Sequence, residues 1–290
     1  MQVLILGAGY SGKAIGQALA ALGGTIVGTT RSEHKMEALR TIGITPLIYD
    51  GVTISDELTN AMRNTTHLVQ SISPAHEGDP LFHKGAESLQ TLFPHLQWIG
   101  YLSTIGVYGD HQGEWVDEDS PCRPVSSRSI ERVTAENNWV NYGKASGIPV
   151  SVLRLSGIYG PGRNTFCNLA EGTARRLVKP GQVFNRIRVE DIGAATAFLA
   201  TGNHAGIYNI TDDEPAPPQD VVTEAARLMG VEPPPELDFE TAELSPMARS
   251  FYGENKRVRN RRICELGFGF QFPNYRVSLE NLWRNGAWQR

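Results

Sequence analysis

The chain is poor in the residues that metal sites and disulfide frameworks need. It has 3 cysteines among 290 residues, Cys122, Cys167 and Cys264, and they form no C-x-x-C motif. Its 7 histidines show no H-x-x-x-H spacing. These absences argue against a disulfide framework and against a zinc site, and we expect no metal cofactor.

The chain also lacks an excess of positive charge and long apolar runs. These two absences argue against nucleic acid and membranes as partners. The net charge is −4 and the basic residues are scattered, so no basic patch is present for nucleic acid or for an anionic membrane surface. No apolar run approaches the roughly 18 residues that cross a bilayer. The first predicted strand begins at residue 3, which leaves no room for a signal peptide before it, and we expect a cytoplasmic protein.

A glycine motif stands at the start of the chain. Residues 3–6 are a continuous apolar run, as in a strand buried on both faces of a parallel sheet. Gly7, Gly9 and Gly12 follow as G-x-G-x-x-G, and residues 13–22 have the apolar spacing of a helix. In such a motif the first glycine permits a sharp turn, the second lets backbone approach a pyrophosphate, and the third lets the helix lie close to the strand.

The context of this motif predicts a dinucleotide site. A second apolar strand follows at residues 25–29, completing the strand, turn, helix and strand that the motif requires. A tight glycine turn without a ligand is the alternative. We assign five turn residues to cofactor binding, with the pyrophosphate at the helix N-terminus: Gly7, Gly9, Tyr10, Ser11 and Gly12.

The end of the second strand favours NADP over NAD. NAD sites of this type place an Asp or Glu there to accept from the ribose 2′-hydroxyl, whereas a 2′-phosphate needs a cation and hydroxyl donors. Thr30 stands where the acid would be, and Arg31, Ser32 and Lys35 could bind the phosphate. The alternative is that Arg31 is a solvated loop residue.

Strand and helix patterns alternate along most of the chain. This alternation predicts an α/β protein with a doubly wound parallel sheet. Asp50 and Ser71 follow the third and fourth strands and are candidates for cofactor contact, although Asp50 could instead cap the next turn. The predicted strands are 44–49, 67–72, 96–103, 150–155, 185–189 and 206–210, and the helices are 32–41 with Ser32 as N-cap, 55–63, 80–93, 127–142, 167–177, 191–200 and 220–229.

Five segments resemble the motifs of one enzyme family. In this order they are similar to extended short-chain dehydrogenase/reductases, the NAD(P)-dependent epimerase/dehydratase family. The resemblance covers essentially the whole chain. The segments are the Gly7-Gly9-Gly12 turn, LSTIGVYG at 102–109, LRLSGIYGPG at 153–162, NRIRVED at 185–191 and YNITDDE at 208–214.

The resemblance implies a two-lobed organisation. It implies an NAD(P)-binding Rossmann fold in residues 1–155 plus about 182–212, and a smaller C-terminal substrate lobe in about 156–181 and 213–290. It also implies a small-molecule substrate. Because the family commonly dimerises through two helices beside the sheet, a homodimer is expected from the resemblance.

The family's catalytic pair is missing. Its chemistry uses a Ser or Thr and a Tyr-x-x-x-Lys on the following helix, where the lysine lowers the pKa of the tyrosine so that the tyrosine exchanges a proton as hydride moves. Thr104 matches the hydroxyl position. Counting back from Glu136, the lysine position falls on Arg132 and the tyrosine position on Arg128. Because arginine stays protonated in proteins, Arg128 cannot act as a general base near neutral pH.

Other residues could take over parts of this chemistry. Tyr108 and Tyr159 belong to family motifs, and either could supply a proton, although packing or cofactor contact is the commoner role. Members that handle nucleotide sugars commonly bind the diphosphate with an arginine at the position of Phe184. A nucleotide-diphosphate sugar is therefore disfavoured, unless Arg186 or Arg188 substitutes.

Two hypotheses for function remain open. Arg128 and Arg132 are four residues apart and share a helix face, so they could bind the carboxylate or phosphate of an anionic substrate. The alternative is that they pair with Glu131 or Glu136 on a solvated surface. The first hypothesis is an NADP-dependent reductase, epimerase or dehydratase of a small anionic or sugar-like substrate. The second is a non-catalytic NADP(H)-binding sensor or protein-interaction partner.

Overall fold

The computed structural model describes residues 1–82, 86–245 and 249–289. The chain divides into two compact units. Unit 1 comprises Met1–Val107, Pro124–Leu155 and Ile192–Tyr208, and unit 2 comprises Tyr108–Arg123, Ser156–Asp191 and Asn209–Arg290. The segment Tyr108–Arg123 and residues 182–191 and 209–212 thus cluster with unit 2, whereas the family resemblance placed them in the Rossmann lobe.

Strands and helices alternate along the described ranges. The strands are β1 (Gln2–Leu6), β2 (Thr25–Thr30), β3 (Thr45–Ile48), β4 (His67–Gln70), β5 (Trp98–Thr104), β6 (Trp115–Val116), β7 (Val150–Leu155), β8 (Gly157–Tyr159), β9 (Arg176–Val178), β10 (Arg186–Arg188), β11 (Gly206–Ile210), β12 (Glu236–Asp238) and β13 (Arg257–Val258). The α-helices are α1 (Tyr10–Ala21), α2 (Met36–Arg40), α3 (Asp56–Asn64), α4 (Ala86–Leu92), α5 (Ser127–Ser146), α6 (Thr165–Ala170), α7 (Val189–Thr201), α8 (Pro218–Met229), α9 (Arg261–Glu265) and α10 (Tyr275–Arg284).

One seven-stranded sheet organises unit 1. Its order is β11-β7-β5-β4-β1-β2-β3, and the pairings from β7 to β3 are parallel. The strand order reverses between β1 and β4, which is the point where ligands bind in sheets of this kind. The predicted doubly wound parallel sheet is therefore confirmed.

Apolar strand residues form the core of unit 1. The side chains of β1 from Val3 to Leu6 and all those of β7 are buried, as expected for strands covered by helices on both faces. Helix α5 covers one face, and it starts where the Ser126 hydroxyl accepts a hydrogen bond from Ser129 N at 3.2 Å. Core members include Leu4, Leu68, Ile99, Tyr101, Trp139 and Val152.

Unit 2 is built from short elements. Three two-stranded parallel pairs, β8 with β10, β9 with β12 and β6 with β13, supply its strands. A small apolar core contains residues of α6, α8 and α10, among them Phe166, Val221, Tyr275 and Leu279. This unit contains most of the predicted substrate lobe.

The helix predicted at 167–177 is wrong in its second half. Helix α6 starts two residues earlier, at Thr165, where the Asn164 side chain accepts from Cys167 N at 3.2 Å, and it stops at Ala170. Gly172 then has a φ of +68°, which interrupts the helix. The next residues form β9 and pair with β12, so a partner distant in sequence overrides the local helical pattern.

Two other predicted helices are shorter than expected. Residues 32–41 form a 3-10 turn, Glu33–Lys35, and then α2. Ser32 precedes the turn, but its hydroxyl caps no N–H group. Of the helix predicted at 80–93, residues 80–82 form a turn and α4 ends at Leu92, while residues 83–85 lie outside the described ranges.

The described ranges also lack two kinds of feature. None of their helices is long and apolar enough to cross a bilayer. No group of three His, Cys, Asp or Glu side chains in these ranges is arranged to hold a metal ion.

A buried ion pair joins α5 to the sheet. Glu136 accepts from Arg154 of β7, with 2.7 Å between Nη2 and Oε2, and both side chains are only 4% exposed. The Ser103 hydroxyl of β5 donates to the same carboxylate. These bonds satisfy a charge that would otherwise be costly to bury.

Replacing Glu136 should therefore destabilise the protein strongly. We expect Glu136→Met to lower the free energy of unfolding by about 3–5 kcal/mol, because the Arg154 charge stays buried without its carboxylate. Glu37→Met is the matched control, since Glu37 is 76% exposed in its pair with Arg40, and it should cost about 0–1 kcal/mol. Urea denaturation measures both, and equal losses would contradict this account.

Candidate functional site

Glycines bring helix α1 close to strand β1. Gly7 has a φ of +86°, a left-handed conformation that side chains rarely adopt. A Cβ on Gly12 would lie 2.9 Å from the Gly7 carbonyl oxygen and 3.2 Å from Ile5 Cγ2. The Thr29 hydroxyl of β2 accepts from Gly7 N at 2.8 Å and holds the turn from the other side. The backbone of α1 can lie this close only because residue 12 has no side chain.

Gly9 differs from these two positions. Its φ of −79° lies outside the left-handed region that favours glycine, and a Cβ there would meet nothing nearer than the Gly7 carbonyl oxygen at 4.0 Å. Gly9 is exposed, so contacts within the protein do not explain a glycine here. A ligand that approaches the backbone would explain it.

The first turn of α1 supplies donors for such a ligand. The helix begins at Tyr10, Ser11 follows, and no side chain caps it at Gly9. The N–H groups of a first helical turn have no partner inside the helix, and the helix dipole makes them attractive to an anion. The space at Gly9 and these donors fit the pyrophosphate of a dinucleotide.

The end of β2 presents an arginine beside this turn. Thr30 ends the strand, and its hydroxyl accepts from Ser32 N at 3.3 Å. The Arg31 side chain is exposed and makes no hydrogen bond or ion pair with the described part of the chain. An arginine without a protein partner is available to a phosphate.

Asp50 and Ser71 lie at the ends of neighbouring elements. Asp50 Oδ1 accepts from the N–H groups of Val52 and Thr53, both at 2.8 Å. These bonds, that of Thr53 first, lower the pKa of Asp50. The structure thus shows the turn-capping role, and contact with the adenine stays a prediction. The carbonyl carbon of Ser71 would lie 3.4 Å from a Cβ on Gly7, so Ser71 borders the glycine turn.

Two candidate catalytic residues, Thr104 and Arg132, are held at the last residues of β5. The Thr104 hydroxyl accepts from Gly106 N at 3.1 Å, which leaves its own proton for another acceptor. One Nη of Arg132 donates to the Leu102 carbonyl oxygen, and the other donates to the Ser73 hydroxyl at 2.8 Å. Arg132 therefore fixes a positive charge where the two central strands β4 and β5 end.

Arg128 stands in a different setting. Its side chain is exposed and has no hydrogen-bond or ion-pair partner among residues 1–82, 86–245 and 249–289. Neither Arg128 nor Arg132 pairs with Glu131 or Glu136 in these ranges. Glu136 binds Arg154 instead. A shared anion site of Arg128 and Arg132 stays a prediction.

The two tyrosines of the family motifs lie in unit 2, where Tyr108 is buried and Tyr159 is half-buried with its hydroxyl oxygen enclosed. The Tyr108 hydroxyl donates to Asn209 Oδ1 at 2.8 Å. This contact argues against its predicted role as proton donor, because the proton is already bound. Burial raises the pKa of Tyr159, which makes its phenolate costly to form.

Sequence reasoning missed two residues that shape this site. Thr29 anchors the glycine turn, and Ser73 binds Arg132. Thr29 lies inside an apolar strand pattern, so nothing in the pattern indicates where its hydroxyl points. The polar residues after β4 are a signal for Ser73, although its arginine partner is far along the chain.

Comparisons with known proteins identify the family. The model of the NAD dependent epimerase/dehydratase family matches residues 91–210. The chain is also 32% identical over 289 residues to Protein YeeZ of Escherichia coli (strain K12), covering 94% of this chain and 97% of YeeZ. The chain belongs to the NAD dependent epimerase/dehydratase family. The family resemblance of the sequence motifs is thereby confirmed, and the sheet of unit 1 is a Rossmann-type NAD(P)-binding fold.

Solved structures share the fold of this epimerase/dehydratase family member. A functionally unknown conserved protein from Silicibacter pomeroyi DSS is 45% identical, with a TM-score of 0.87 and coverage of 98% of both chains. The human epimerase family protein SDR39U1 (isoform 2), solved with NADPH, is 18% identical, with a TM-score of 0.71 and coverage of 98% of this chain and 100% of that one. The human structure shows the fold alone.

The glycines of the turn should respond differently to substitution. We expect Gly9→Ala to change the free energy of unfolding by no more than about 0.5 kcal/mol, because its Cβ meets no protein atom. NADPH affinity should fall at least about tenfold, which corresponds to about 1.4 kcal/mol. Gly12→Ala should instead destabilise the fold by about 1–3 kcal/mol, because its Cβ would overlap a backbone oxygen.

Urea denaturation and NADPH fluorescence titration measure the two effects. Wild-type NADPH affinity in Gly9→Ala would show that no ligand approaches the backbone there.

Proposed function

We propose that this epimerase/dehydratase family member binds NADP(H) and acts as an oxidoreductase or epimerase on a small anionic or sugar-like substrate, without the usual Tyr/Lys pair. The observation that carries the proposal is the uncapped start of α1 beside Gly9, with the unpartnered Arg31 at the end of β2 in the same unit.

The residues at the end of β2 support NADP over NAD. The family's description names NAD, and an NAD site needs a carboxylate at this strand end to accept from the 2′-hydroxyl. Here Thr30 and Arg31 occupy that end, and the Thr30 hydroxyl is directed to the loop. A 2′-phosphate would give Arg31 the charged partner that it lacks among the described residues.

Arg31 should decide the preference between the two cofactors. We expect Arg31→Ala to weaken NADPH binding at least about tenfold, or about 1.4 kcal/mol, and to leave NADH binding unchanged. Arg40→Ala is the matched control, because Arg40 is also an exposed arginine of unit 1 and pairs only with Glu37, at 3.3 Å. Fluorescence titrations of both variants with both cofactors make the measurement. A parallel loss of both cofactors in Arg31→Ala would contradict the assignment.

Thr104 and Arg132 supply the chemistry that the chain retains. Bound NADP(H) supplies or accepts a hydride. The Thr104 hydroxyl keeps a hydrogen with which it would bond and orient the reacting oxygen of the substrate, and water would supply the proton that this oxygen takes up on reduction. The guanidinium of Arg132, held by Leu102 and Ser73, places a positive charge near the same strand end, where it would stabilise a developing oxyanion.

A specific observation favours the second candidate function, a non-catalytic NADP(H)-binding sensor or interaction partner. The Tyr108 hydroxyl is bound to Asn209, and burial makes ionisation of Tyr159 unfavourable. Arg128 stays protonated. None of these three residues is therefore suited to exchange a proton near neutral pH, which is what a reductase or epimerase of this family requires.

Turnover separates the two candidates. We expect NADPH oxidation with at least one member of a panel of small 2-keto acids and sugar aldehydes, followed by nicotinamide absorbance. Thr104→Val should lower kcat at least about tenfold and leave the Kd for NADPH unchanged, because the hydroxyl acts on the reacting oxygen. NADPH binding without turnover across the panel would contradict the enzyme and support the sensor.

A further inference from the structure

A pair of short strands gathers polar side chains inside unit 2. Strands β8 and β10 run parallel, with Arg186 opposite Gly157 and Arg188 opposite Tyr159. Asp212 follows β11, and its N–H donates to the Arg186 carbonyl oxygen at 2.8 Å. Two strands and one loop therefore bring Tyr159, Arg186 and Asp212 into one region.

The guanidinium of Arg186 is only partly satisfied. Its Nη1 donates to the carbonyl oxygens of Phe184 at 2.9 Å and Ala216 at 3.0 Å. The N–H groups on Nε and Nη2 have no hydrogen-bond partner in the described part of the chain, and no carboxylate there forms an ion pair with Arg186. Burial lowers the pKa of Arg186, and the charge of Asp212 opposes part of this effect.

The neighbouring Arg188 shows what a satisfied guanidinium looks like in this unit. Its Nε and Nη2 donate to both carboxylate oxygens of Glu190 at 2.7 Å, and its Nη1 donates to the Ser278 hydroxyl at 3.0 Å. The Phe272 ring lies 4.3 Å from the guanidinium carbon. Arg188 therefore has a structural role, and Arg186 retains donors for a ligand.

Two buried oxygen atoms near Arg186 also lack partners. The Tyr159 hydroxyl and Asp212 Oδ2 form no hydrogen bond of normal geometry with the described residues, although the nearby Ser278 side chain acts to lower the pKa of Tyr159 against the larger effect of burial. Asp212 is 1% exposed, and its other oxygen accepts from Glu214 N at 3.2 Å. Burial raises the pKa of Asp212, although the charge of Arg186 acts in the opposite direction. Burial of an unpaired hydroxyl is unfavourable, and an anion that accepts a hydrogen bond from Tyr159 removes that cost, whereas Asp212 Oδ2, itself an acceptor, does not pair with an anion.

We propose that Arg186 and Tyr159 form an oxyanion site in unit 2, which takes a carboxylate or phosphate group. The free Nε and Nη2 donors of a guanidinium match two oxygens of such a group. The Tyr159 hydroxyl supplies a further donor. The charge of Asp212, which acts on Arg186 without an ion pair between the two, limits the negative charge that the site accepts.

Space for a larger molecule lies beside Tyr159. A cavity of about 360 Å³ in unit 2 is lined by Tyr159, Arg163 and Asn168, among others. This volume is within the range of small-ligand sites. Tyr159 is the residue that this cavity and the proposed oxyanion site share.

The assignment of this anion to the substrate rests on the proposed function, whereas the anion site itself does not. Its test is therefore made with the full chain and with simple probes. Inorganic phosphate and malonate are titrated by isothermal calorimetry, with and without saturating NADPH, because NADPH should occupy the other anion site at α1.

We expect saturable binding of at least one probe. Arg186→Met should weaken it at least tenfold, and Arg284→Met, a 74% exposed arginine of the same unit, should leave it unchanged. Tyr159→Phe should weaken binding at least threefold without lowering Tm, because the hydroxyl that it removes has no partner in the described structure. If Arg186→Met fails to fold, Tyr159→Phe alone tests whether the anion binds at this site.

The remaining outcomes are also decisive. Asp212→Asn should bind the probe as tightly as the wild type or more tightly, and a loss would overturn the proposal by showing that the site needs a negative charge. Absence of saturable binding by both probes would mean that only water bridges these groups. Binding that survives both Arg186→Met and Tyr159→Phe would place the anion elsewhere. The Kd for NADPH should be unchanged in every variant. The NADPH titration therefore tests the cofactor proposal independently of the anion titration.

Discussion

The approach of helix α1 to strand β1 is the contact on which the cofactor site depends. It exists because Gly12 has no side chain between the helix and the Gly7 carbonyl oxygen, 2.9 Å from where a Cβ would stand. The left-handed Gly7 makes the turn, and Thr29 holds it to β2. As a result, the N–H groups at the start of the helix lie beside the strand end with the open position of Gly9 next to them. One steric requirement thus produces both the packing of the first βαβ unit and a place for an anion.

The arginines differ in how many hydrogen-bond partners they have, and this number indicates the role of each one. Arg188 is saturated by Glu190 and Ser278 and is structural. Arg132 is bound to the strand ends and contributes a fixed charge. Arg31 has no partner in the described structure, and Arg186 has partners on one nitrogen only. A guanidinium that is buried or placed at a strand end without its full set of acceptors favours an anionic ligand.

Local patterns were sufficient for the sheet and for the glycine turn. Apolar runs and their alternation with helices predicted β7 and β11 with their observed bounds and predicted a doubly wound sheet, although not its strand order. They failed where a distant partner decides the outcome. Residues 176–178 pair with 236–238 and become a strand instead of the end of a helix. Tyr108 is bound by Asn209, and Glu136 by Arg154, in contacts that neither spacing nor propensity reveals. Motif reasoning could therefore name the candidate residues, but not which of them still have a proton or a charge to offer.

The central claim is that unit 1 holds a dinucleotide with a 2′-phosphate. The most direct measurement is a fluorescence titration of the wild-type chain with NADPH and NADH side by side under the same buffer conditions. We predict saturable NADPH binding at least about tenfold tighter than that of NADH, a difference of about 1.4 kcal/mol. Equal or tighter binding of NADH would contradict the role of Arg31. Binding of neither cofactor would contradict the account as a whole, because the glycine turn would then have kept its packing without its ligand.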